Sequence, residues 1–270
     1  MSQNPAEHKG FASAVQPVTA STLIHTDTEG LLSGSANLQA ADGQSLPIYY
    51  ARPEAPGAHS VVLVVQEIFG LHEHIKDVVR RLAKLGYFAV AAELYFRQGD
   101  AASIDSIEGL LAGIVGKVPD AQVLADLDTT MAWAGAQGGD IDRLGVTGFC
   151  WGGRITWLYA AHQPRVKAAV AWYGRLTGET SALTPRHPVE VLGELKAPVL
   201  GLYGGQDGSI PLDTVALVQQ GLEAIHSLSR IEVYPDAPHA FYADYRPSYR
   251  TADAADGWQQ LQAWFRRFGL

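Results

Sequence analysis

Cysteine is almost absent from this chain, which has a single one, Cys150, among its 270 residues. One cysteine excludes an internal disulfide and leaves a thiol that a reducing cytoplasm would keep usable. Long apolar runs are also missing, because no stretch approaches the roughly 20 residues that a membrane-spanning helix needs. Residues 1–28 lack a charged stretch followed by an apolar one, so they give no secretion signal. We therefore expect a cytoplasmic protein that does not enter a membrane.

Positive charge is also sparse. The chain has 20 Lys and Arg residues against 28 Asp and Glu, a formal net charge of −8, and no cluster of basic residues. Nucleic acids and anionic membranes are therefore poor candidate partners. The 47% of hydrophobic residues is enough to bury a large core, as in an ordinary soluble enzyme.

Short apolar segments alternate with segments of helical periodicity from residue 31 onward. The run at 61–65 consists of valine and leucine, which is typical of a parallel strand covered on both faces. The alternation predicts one α/β domain over residues 31–270, with a mostly parallel, doubly wound sheet, after a loosely ordered arm over residues 1–30. The predicted strands are 31–39, 46–51, 61–65, 87–92, 144–147, 168–172, 199–203 and 230–234, and the predicted helices are 75–85, 105–115, 121–136, 154–162, 212–225 and 248–268.

The single cysteine lies in the run Gly-Phe-Cys-Trp-Gly-Gly at 148–153, between a predicted strand and a predicted helix. This is the nucleophile-elbow pattern G-x-nucleophile-x-G, with Cys150 at the position that serine usually takes. Its glycines let the strand and the helix approach closely, because a Cβ atom there would hold them apart. A lone cysteine is more often a small buried hydrophobic residue, but the elbow pattern favours a nucleophile.

Two polar residues, Asp207 and His239, each come a few residues after a later strand of the predicted sheet. In such sheets the reactive groups gather outside the carboxyl ends of the strands. Taken alone, Asp207 could be a turn residue that bonds its own backbone, and His239 a partly buried loop histidine. With Cys150 they give the order nucleophile, acid, histidine of the α/β-hydrolases. Asp236 could also orient His239, but it shares the histidine's loop and is badly placed to reach its far nitrogen.

A carboxylate, Glu67, stands where the apolar strand 61–65 ends. Carboxylates are costly to bury alone, so Glu67 is expected either to serve the site or to pair with a structural arginine. His72 and His74 have the spacing of a weak metal pair, but no third ligand is evident, so we expect a solvated helix start and no metal. The irregular stretch 175–195 is expected to arch over the site.

The order of five motifs in this chain resembles that of the dienelactone hydrolase family, the carboxymethylenebutenolidases. The motifs are Gln-Glu-Ile-Phe-Gly at 66–70, Leu-Tyr-Phe-Arg-Gln-Gly at 94–99, Gly-Phe-Cys-Trp-Gly-Gly at 148–153, Gly-Gly-Gln-Asp at 204–207 and Pro-His-Ala-Phe at 238–241. The resemblance covers roughly residues 36–270. It implies an α/β-hydrolase fold of about eight strands without a large lid domain, and a Cys150–His239–Asp207 triad.

The resemblance also implies roles for residues outside the triad. Glu67 matches the family's additional glutamate, which helps to generate the thiolate once substrate displaces it from an arginine. The backbone N–H groups of Ile68 and Trp151 are expected to form the oxyanion hole.

Substrate binding in the family involves two arginines, and only one of them is matched here. Arg97 corresponds to the arginine that binds the substrate carboxylate, and Tyr95 in the same motif is a further candidate for substrate binding. The second arginine is replaced by Ala243. Arg246 lies near that position and is the candidate to take its place.

The sequence therefore predicts a cofactor-free cysteine hydrolase of small lactones or activated carboxylic esters. A thiolate leaves a tetrahedral intermediate easily, so we expect substrates whose own leaving oxygen is stabilised, such as enol lactones and aryl esters. Ala243 leaves open a broad carboxylesterase or thioesterase. A third possibility is a ligand-binding or thiol-sensing protein on the same fold, which would need a broken triad. The sequence favours no particular oligomeric state.

Overall fold

In the computed structural model, which describes residue 11 and residues 21–270, eight strands form one sheet with six α-helices. The strands are β1 (Leu31–Gln39), β2 (Ser45–Pro53), β3 (Ser60–Val65), β4 (Phe88–Ala92), β5 (Asp140–Phe149), β6 (Val166–Trp172), β7 (Val199–Gly204) and β8 (Arg230–Tyr234). The helices are α1 (Glu73–Lys84), α2 (Ile107–Gly113), α3 (Asp120–Ala136), α4 (Trp151–His162), α5 (Leu212–Ala224) and α6 (Thr251–Arg267).

The strand order is β1-β2-β4-β3-β5-β6-β7-β8. Strands β3 to β8 run parallel, whereas β1 pairs antiparallel with β2, and β2 pairs antiparallel with β4. Every residue of β3 and β4 is buried, as expected for parallel strands with helices on both faces. The predicted α/β fold with a mostly parallel sheet is confirmed.

The strand register brings the ends of five strands together. Val65 pairs with Gly148, Phe149 with Trp172, and Gly204 with Tyr234. Because these strands are parallel, their carboxyl ends lie at the same edge of the sheet. The segments that follow β3, β5, β6, β7 and β8 therefore meet there.

Three element boundaries differ from the sequence prediction by three residues or more, and one of them is the start of α4, at Trp151 rather than at 154. Strand β5 begins at Asp140 rather than at 144, because Asp140 pairs with Ser60 before the register shifts. The intervening residues are polar or partly exposed, so they gave no apolar strand signal. Helix α6 begins at Thr251 rather than at 248, because a turn precedes it in which the Tyr249 N–H donates to the Arg246 carbonyl. None of the helices in the described ranges has the length and apolar character to cross a membrane.

The irregular stretch 175–195 is bound to helices α3 and α4. The Arg154 guanidinium in α4 donates to the Arg186 carbonyl at 2.6 Å, and the Asp120 N–H at the start of α3 donates to the Leu183 carbonyl. None of its hydrogen bonds to described residues reaches Cys150. The expected arch over the site therefore finds no support in these contacts.

The predicted arm over residues 1–30 is described at residue 11 and from residue 21 onward, and residues 1–10 and 12–20 lie outside the described part. The Thr26 N–H donates to Asp77 Oδ1 in α1 at 2.6 Å, and Lys84 binds Asp27 and the Glu29 carbonyl. Residues 21–30 are thus fixed against α1.

Candidate active site

The turn between β5 and α4 has the geometry of a nucleophile elbow. Cys150 has a φ of 56° and directly precedes the first residue of α4, and its N–H donates to the Trp172 carbonyl at 3.0 Å. A Cβ atom on Gly152 would lie 2.4 Å from the Gln66 carbonyl oxygen, and one on Gly153 would lie 2.4 Å from the Trp172 oxygen. Only glycine fits at these two positions, as the motif predicted. The helix N-terminus favours negative charge, which suits a thiolate.

The structure brings Cys150, His239 and Asp207 into one hydrogen-bonded chain. His239 Nε2 lies 3.3 Å from Cys150 Sγ, and His239 Nδ1 lies 2.6 Å from Asp207 Oδ2. Asp207 also accepts from the N–H and the hydroxyl of Ser209, at 2.9 and 2.6 Å. The alternative acid, Asp236, is exposed, and the contacts of the described residues do not join it to His239.

The electrostatics of this chain favour a charged pair. Burial would lower the pKa of His239, but its hydrogen bonds with Asp207 and Cys150 outweigh burial and raise that pKa to about 10. Burial would likewise raise the pKa of Asp207, but the hydrogen bonds from His239 and Ser209 lower it. Asp207 is therefore a carboxylate that holds the imidazole by Nδ1 and leaves Nε2 directed at the sulfur.

Two backbone N–H groups flank the elbow. Ile68 follows β3 in the segment next to Gly152, and Trp151 is the first residue of α4. Neither N–H donates a hydrogen bond to any residue within the described ranges. Both groups are free to bind an anionic oxygen, as an oxyanion hole requires.

Glu67 is fully buried, and its partners are a histidine and a tyrosine rather than an arginine. Oε2 of Glu67 accepts from the Tyr245 hydroxyl at 2.6 Å and lies 3.1 Å from His72 Nε2. Oε1 has no hydrogen-bond partner among the described residues. Burial would raise the pKa of Glu67, but the bonds and charges of its neighbours lower it to about 2. Glu67 is therefore a carboxylate inside the protein.

The expectation that His72 and His74 begin a solvated helix is wrong. Each is only 2% exposed, because His72 turns inward to Glu67 and His74 Nδ1 lies 3.2 Å from Asp244 Oδ1. Phe11 covers this cluster, with its ring 5.8 Å from His72 and 5.0 Å from Tyr245. No group of three metal-binding side chains occurs in the part of the chain that the structure describes.

Arg97 is held by two carboxylates of the protein. Its guanidinium binds both oxygens of Asp126, at 2.6 and 3.1 Å, and its Nε binds Asp42 at 2.5 Å. The guanidinium also stacks on the Phe96 ring. The donors that were expected to bind a substrate carboxylate are thus engaged, and none of the described contacts joins Arg97 to Cys150 or Glu67.

Tyr95 lies close to the elbow. Its ring packs edge-on against Trp151, the residue that directly follows Cys150. Its buried hydroxyl lies beside the Gln66 side chain, and neither this hydroxyl nor Gln66 Nε2 makes a hydrogen bond of good geometry with a described residue. Tyr95 is therefore buried beside the elbow, next to Gln66.

Ala243, at the position of the family's second arginine, is completely buried. Arg246 lies three residues further, partly exposed, with its guanidinium 5.7 Å from the Phe69 ring. Its positive charge acts to lower the pKa of Tyr173 and of Tyr245, against the effect of burial. No carboxylate of the described residues pairs with it. Arg246 is thus the arginine that lies beside Tyr245, the hydrogen-bond partner of Glu67.

Three residues of the site were missed in the sequence. Ser209 could have been found, because a serine two residues after an aspartate in a turn often bonds it. Tyr173 follows β6, so the rule that selected Asp207 and His239 also applies to it. Tyr245 had no such signal, because its contact with Glu67 spans 178 residues of sequence.

A buried ion pair supports the elbow helix from the other side. Arg154 in α4 binds both oxygens of Asp120, each at 2.7 Å, and its Nε lies 3.3 Å from His187 Nδ1. Two parallel hydrogen bonds fix the guanidinium more firmly than a single contact would. The pair therefore ties α4 to the start of α3 and to the stretch 175–195.

Comparison with known proteins agrees with this architecture. The profile of the dienelactone hydrolase family matches residues 46–269. A protein of Methylorubrum extorquens, provisionally named a carboxymethylenebutenolidase, is 58% identical over 262 residues, which are 97% of this chain and 90% of the relative. A protein of Escherichia coli K12 with the same provisional name is 54% identical over 264 residues, 97% of each chain.

A solved structure gives the same result. The crystal structure of a protein from Klebsiella pneumoniae, provisionally named a dienelactone hydrolase, is 56% identical to this chain and matches it with a TM-score of 0.86. The match covers 88% of this chain and 99% of that one. The α/β-hydrolase fold and the family resemblance that the motifs predicted are therefore confirmed, and the chain belongs to the dienelactone hydrolase family of enzymes.

Proposed function

We propose that the protein is a cysteine hydrolase that needs no cofactor and acts on lactones or activated carboxylic esters. The observation that carries the proposal is the hydrogen-bonded chain from Cys150 through His239 to Asp207 at the start of α4. Cys150 is the nucleophile, His239 the base and acid, and Asp207 the residue that orients the imidazole. The provisional names of the relatives support the same class of substrate.

The reaction has two stages. In the resting pair His239 Nε2 holds the proton of the Cys150 thiol, and the thiolate sulfur forms a bond to the carbonyl carbon as the carbonyl π electrons move onto the oxygen. The bond to the leaving oxygen then breaks, and that oxygen takes a proton from His239 Nε2. Water, deprotonated by His239, attacks the thioester and releases the acid and the thiolate. The carbonyl oxygen carries negative charge in both stages, and the N–H groups of Ile68 and Trp151 bind it.

The hydrogen-bond partners of Glu67 in this chain differ from those in the family pattern. In the family, an arginine holds the corresponding glutamate until substrate displaces it, whereas here His72 and Tyr245 hold it by Oε2. Oε1, which has no partner among the described residues, is free to accept from the Cys150 thiol or from a bound molecule. We assign Glu67 to activation of the thiol from this position.

The residues at the positions expected to bind a substrate carboxylate favour substrates with little charge. Arg97 is engaged with Asp126 and Asp42, and Ala243 has no charge to offer. Arg246 is then the residue that would attract a carboxylated substrate. These observations also favour the second candidate, a broad carboxylesterase or thioesterase. Comparing a carboxylated dienelactone with neutral aryl esters separates the two.

Burst kinetics with p-nitrophenyl acetate test the proposal. Wild-type protein should release p-nitrophenol in steady turnover, well beyond one equivalent per chain, while Cys150→Ala should release it at the background rate. A thiol-sensing protein would release at most one equivalent through acetylation of Cys150, and a ligand-binding protein would show no Cys150-dependent release; either result would overturn the proposal. A thiol that must stay reduced suits the cytoplasm as the location.

The domain organisation expected from the sequence is retained as part of the proposal. One catalytic domain over residues 31–270 carries every residue assigned to the reaction. Residues 21–30 bind α1 through Thr26 and Asp27, and Phe11 lies on His72 and Tyr245. We propose that Phe11 serves as a cover for His72 and Tyr245, the partners of Glu67.

A further inference from the structure

Tyr173 lies beside the nucleophile without belonging to the proposed triad. The Cys150 N–H donates to the carbonyl of Trp172, the residue directly before Tyr173. The Tyr173 ring packs edge-on against the imidazole of His239, with ring centroids 5.3 Å apart. The side chain therefore lies next to both the nucleophile and the base.

The backbone of Tyr173 is strained in the same way as that of the nucleophile. Its φ is 38°, and the described residues other than glycine with positive φ also include Cys150 and Ala240, which directly follows His239. A left-handed backbone is unfavourable for a bulky side chain and is found mainly where the surroundings enforce it. Here the Tyr173 N–H donates to the Leu202 carbonyl at 2.8 Å, and the ring packs on Phe241. The fold thus holds Tyr173 in one orientation beside the triad.

The Tyr173 hydroxyl is buried, and none of the described residues accepts its proton. Two buried tyrosines show the contrast, because Tyr159 donates to Asp128 and Tyr203 accepts from Trp157. Burial raises the pKa of Tyr173 well above its ordinary value, and the nearby charges of Glu67 and Cys150 raise it further. The phenol therefore stays protonated, and a buried O–H without an acceptor is costly unless a ligand supplies one.

We propose that the Tyr173 hydroxyl donates a hydrogen bond to the leaving oxygen of the ester, which makes Tyr173 a further catalytic residue of the hydrolase proposed above. During acylation the bond between the carbonyl carbon and the leaving oxygen breaks, and the oxygen keeps both bonding electrons. His239 Nε2 supplies the proton to that oxygen, and Tyr173 retains its own proton. The Tyr173 ring packs on His239, the residue that protonates the leaving oxygen, and we assign its hydroxyl to that oxygen, while Ile68 and Trp151 serve the carbonyl oxygen.

A hydrogen-bond donor at this position would help the tetrahedral intermediate of a cysteine hydrolase to break down in the forward direction. The tetrahedral intermediate can lose either the thiolate or the alkoxide, and the thiolate is the better leaving group. A hydrogen bond to the ester oxygen lowers the barrier for its departure and so favours the forward path. The benefit is greatest when the leaving oxygen is basic, and smallest for p-nitrophenolate.

The test is the dependence of kcat/KM on the leaving group in Tyr173→Phe. The series consists of the p-nitrophenyl, phenyl and trifluoroethyl esters of acetic acid. Loss of one hydrogen bond to a developing anion should lower kcat/KM about 10- to 100-fold for the trifluoroethyl ester. The p-nitrophenyl ester should change by no more than about threefold, since its leaving group needs little help. Tyr159→Phe, a buried tyrosine bonded to Asp128, is the matched control and should keep the wild-type dependence.

A uniform loss across the three esters, or no loss, would overturn the role of Tyr173. If Tyr173→Phe does not fold, as judged by its circular dichroism, trifluorotyrosine placed at position 173 replaces it. This residue keeps the shape of tyrosine and is a stronger donor, so the dependence on the leaving group should become shallower, and an unchanged dependence would overturn the proposal. Turnover of p-nitrophenyl acetate by wild type, but not by Cys150→Ala, shows separately whether the hydrolase function itself holds. If wild type turns over none of the esters, both proposals fail.

Discussion

The Tyr245 hydroxyl donates to Glu67 Oε2 over 2.6 Å, although the two residues are 178 positions apart in the chain. His72 binds the same oxygen, so a buried carboxylate is held by one imidazole and one phenol. Hydrogen bonds to a charged group are stronger than those between neutral groups, and each offsets part of the cost of burying the charge. Glu67 can therefore remain ionised beside the nucleophile elbow without an arginine.

Tyr245→Phe should weaken the fold measurably. It removes a hydrogen bond to a buried carboxylate, and we expect the free energy of unfolding to fall by about 1.5–3 kcal/mol. Urea denaturation at pH 7 measures the change. Tyr87→Phe is the control, because no described residue bonds the Tyr87 hydroxyl, and it should leave the free energy of unfolding nearly unchanged.

Glu67 should also make stability depend on acid pH. Its folded-state pKa of about 2 lies below the ordinary value of 4.5, so its contribution is present above pH 4.5 and is lost as the pH falls towards 2. Glu67→Gln should therefore flatten the acid side of the stability profile between these values. An identical acid loss in wild type and Glu67→Gln would show that Glu67 is not ionised in the folded protein.

Replacing Asp207 should affect His239 in a way that can be observed directly. Asp207→Asn keeps the shape but removes the charge, so the pKa of His239 should fall from about 10 towards its ordinary range. Nuclear magnetic resonance of the labelled imidazole measures this pKa. Ester turnover should fall by about four orders of magnitude, and Asp236→Ala should change turnover little. Strong loss in Asp236→Ala with a nearly normal Asp207→Asn would identify Asp236 as the acid.

Stability should also respond to His239 at alkaline pH. Because the folded-state pKa is raised, the contribution of the imidazolium is complete below about pH 6.5, the unfolded value, and is lost as the pH rises towards 10. The difference in unfolding free energy between wild type and His239→Gln should shrink over that range. A difference that grows with pH would contradict the charged pair.

Arg97→Ala should destabilise the protein without altering substrate preference. The substitution leaves the buried Asp126 carboxylate without its bidentate partner, which should cost about 3 kcal/mol. Arg97→Ala combined with Asp126→Ala removes both charges and should recover most of that stability. Values of KM for one carboxylated and one neutral ester provide the second readout. A rise confined to the carboxylated ester would show that Arg97 binds substrate.

Gly152→Ala should disrupt the elbow. The added Cβ would lie 2.4 Å from the Gln66 carbonyl oxygen, so either α4 or the segment 66–70 must move. We expect a loss of about 3 kcal/mol or more and almost complete loss of turnover, measured by thermal unfolding and ester release. Gly193→Ala is the control, since nothing lies within 4 Å of its added Cβ. Normal turnover in Gly152→Ala would show that the close packing at the elbow is not needed.

The sequence was informative where one local pattern decides the structure. The run of valine and leucine at 61–65 predicted a buried strand, and the glycines around Cys150 predicted the elbow, because burial and close backbone approach each leave a signature in neighbouring residues. Asp207 and His239 were found for a related reason, since each follows a strand of the same sheet. The chain order then suggested the triad that the contacts bring together.

The sequence was uninformative where partners are far apart in the chain. Nothing near His74 indicates that it turns inward, because its partner Asp244 lies 170 residues further along the chain. The engagement of Arg97 by Asp126 is equally invisible, since acidic residues are plentiful and no local rule selects one of them. Such pairings are fixed by tertiary packing and leave no periodic pattern.

Mass spectrometry of the acyl-enzyme tests the central claim most directly. Wild-type protein mixed with p-nitrophenyl acetate and quenched in acid within milliseconds should carry one acetyl group, mapped by peptide analysis to Cys150 and released by hydroxylamine. His239→Ala should accumulate far less of this thioester, and Cys150→Ala should carry none. Acetylation of another residue during turnover, or unchanged turnover in Cys150→Ala, would contradict the account.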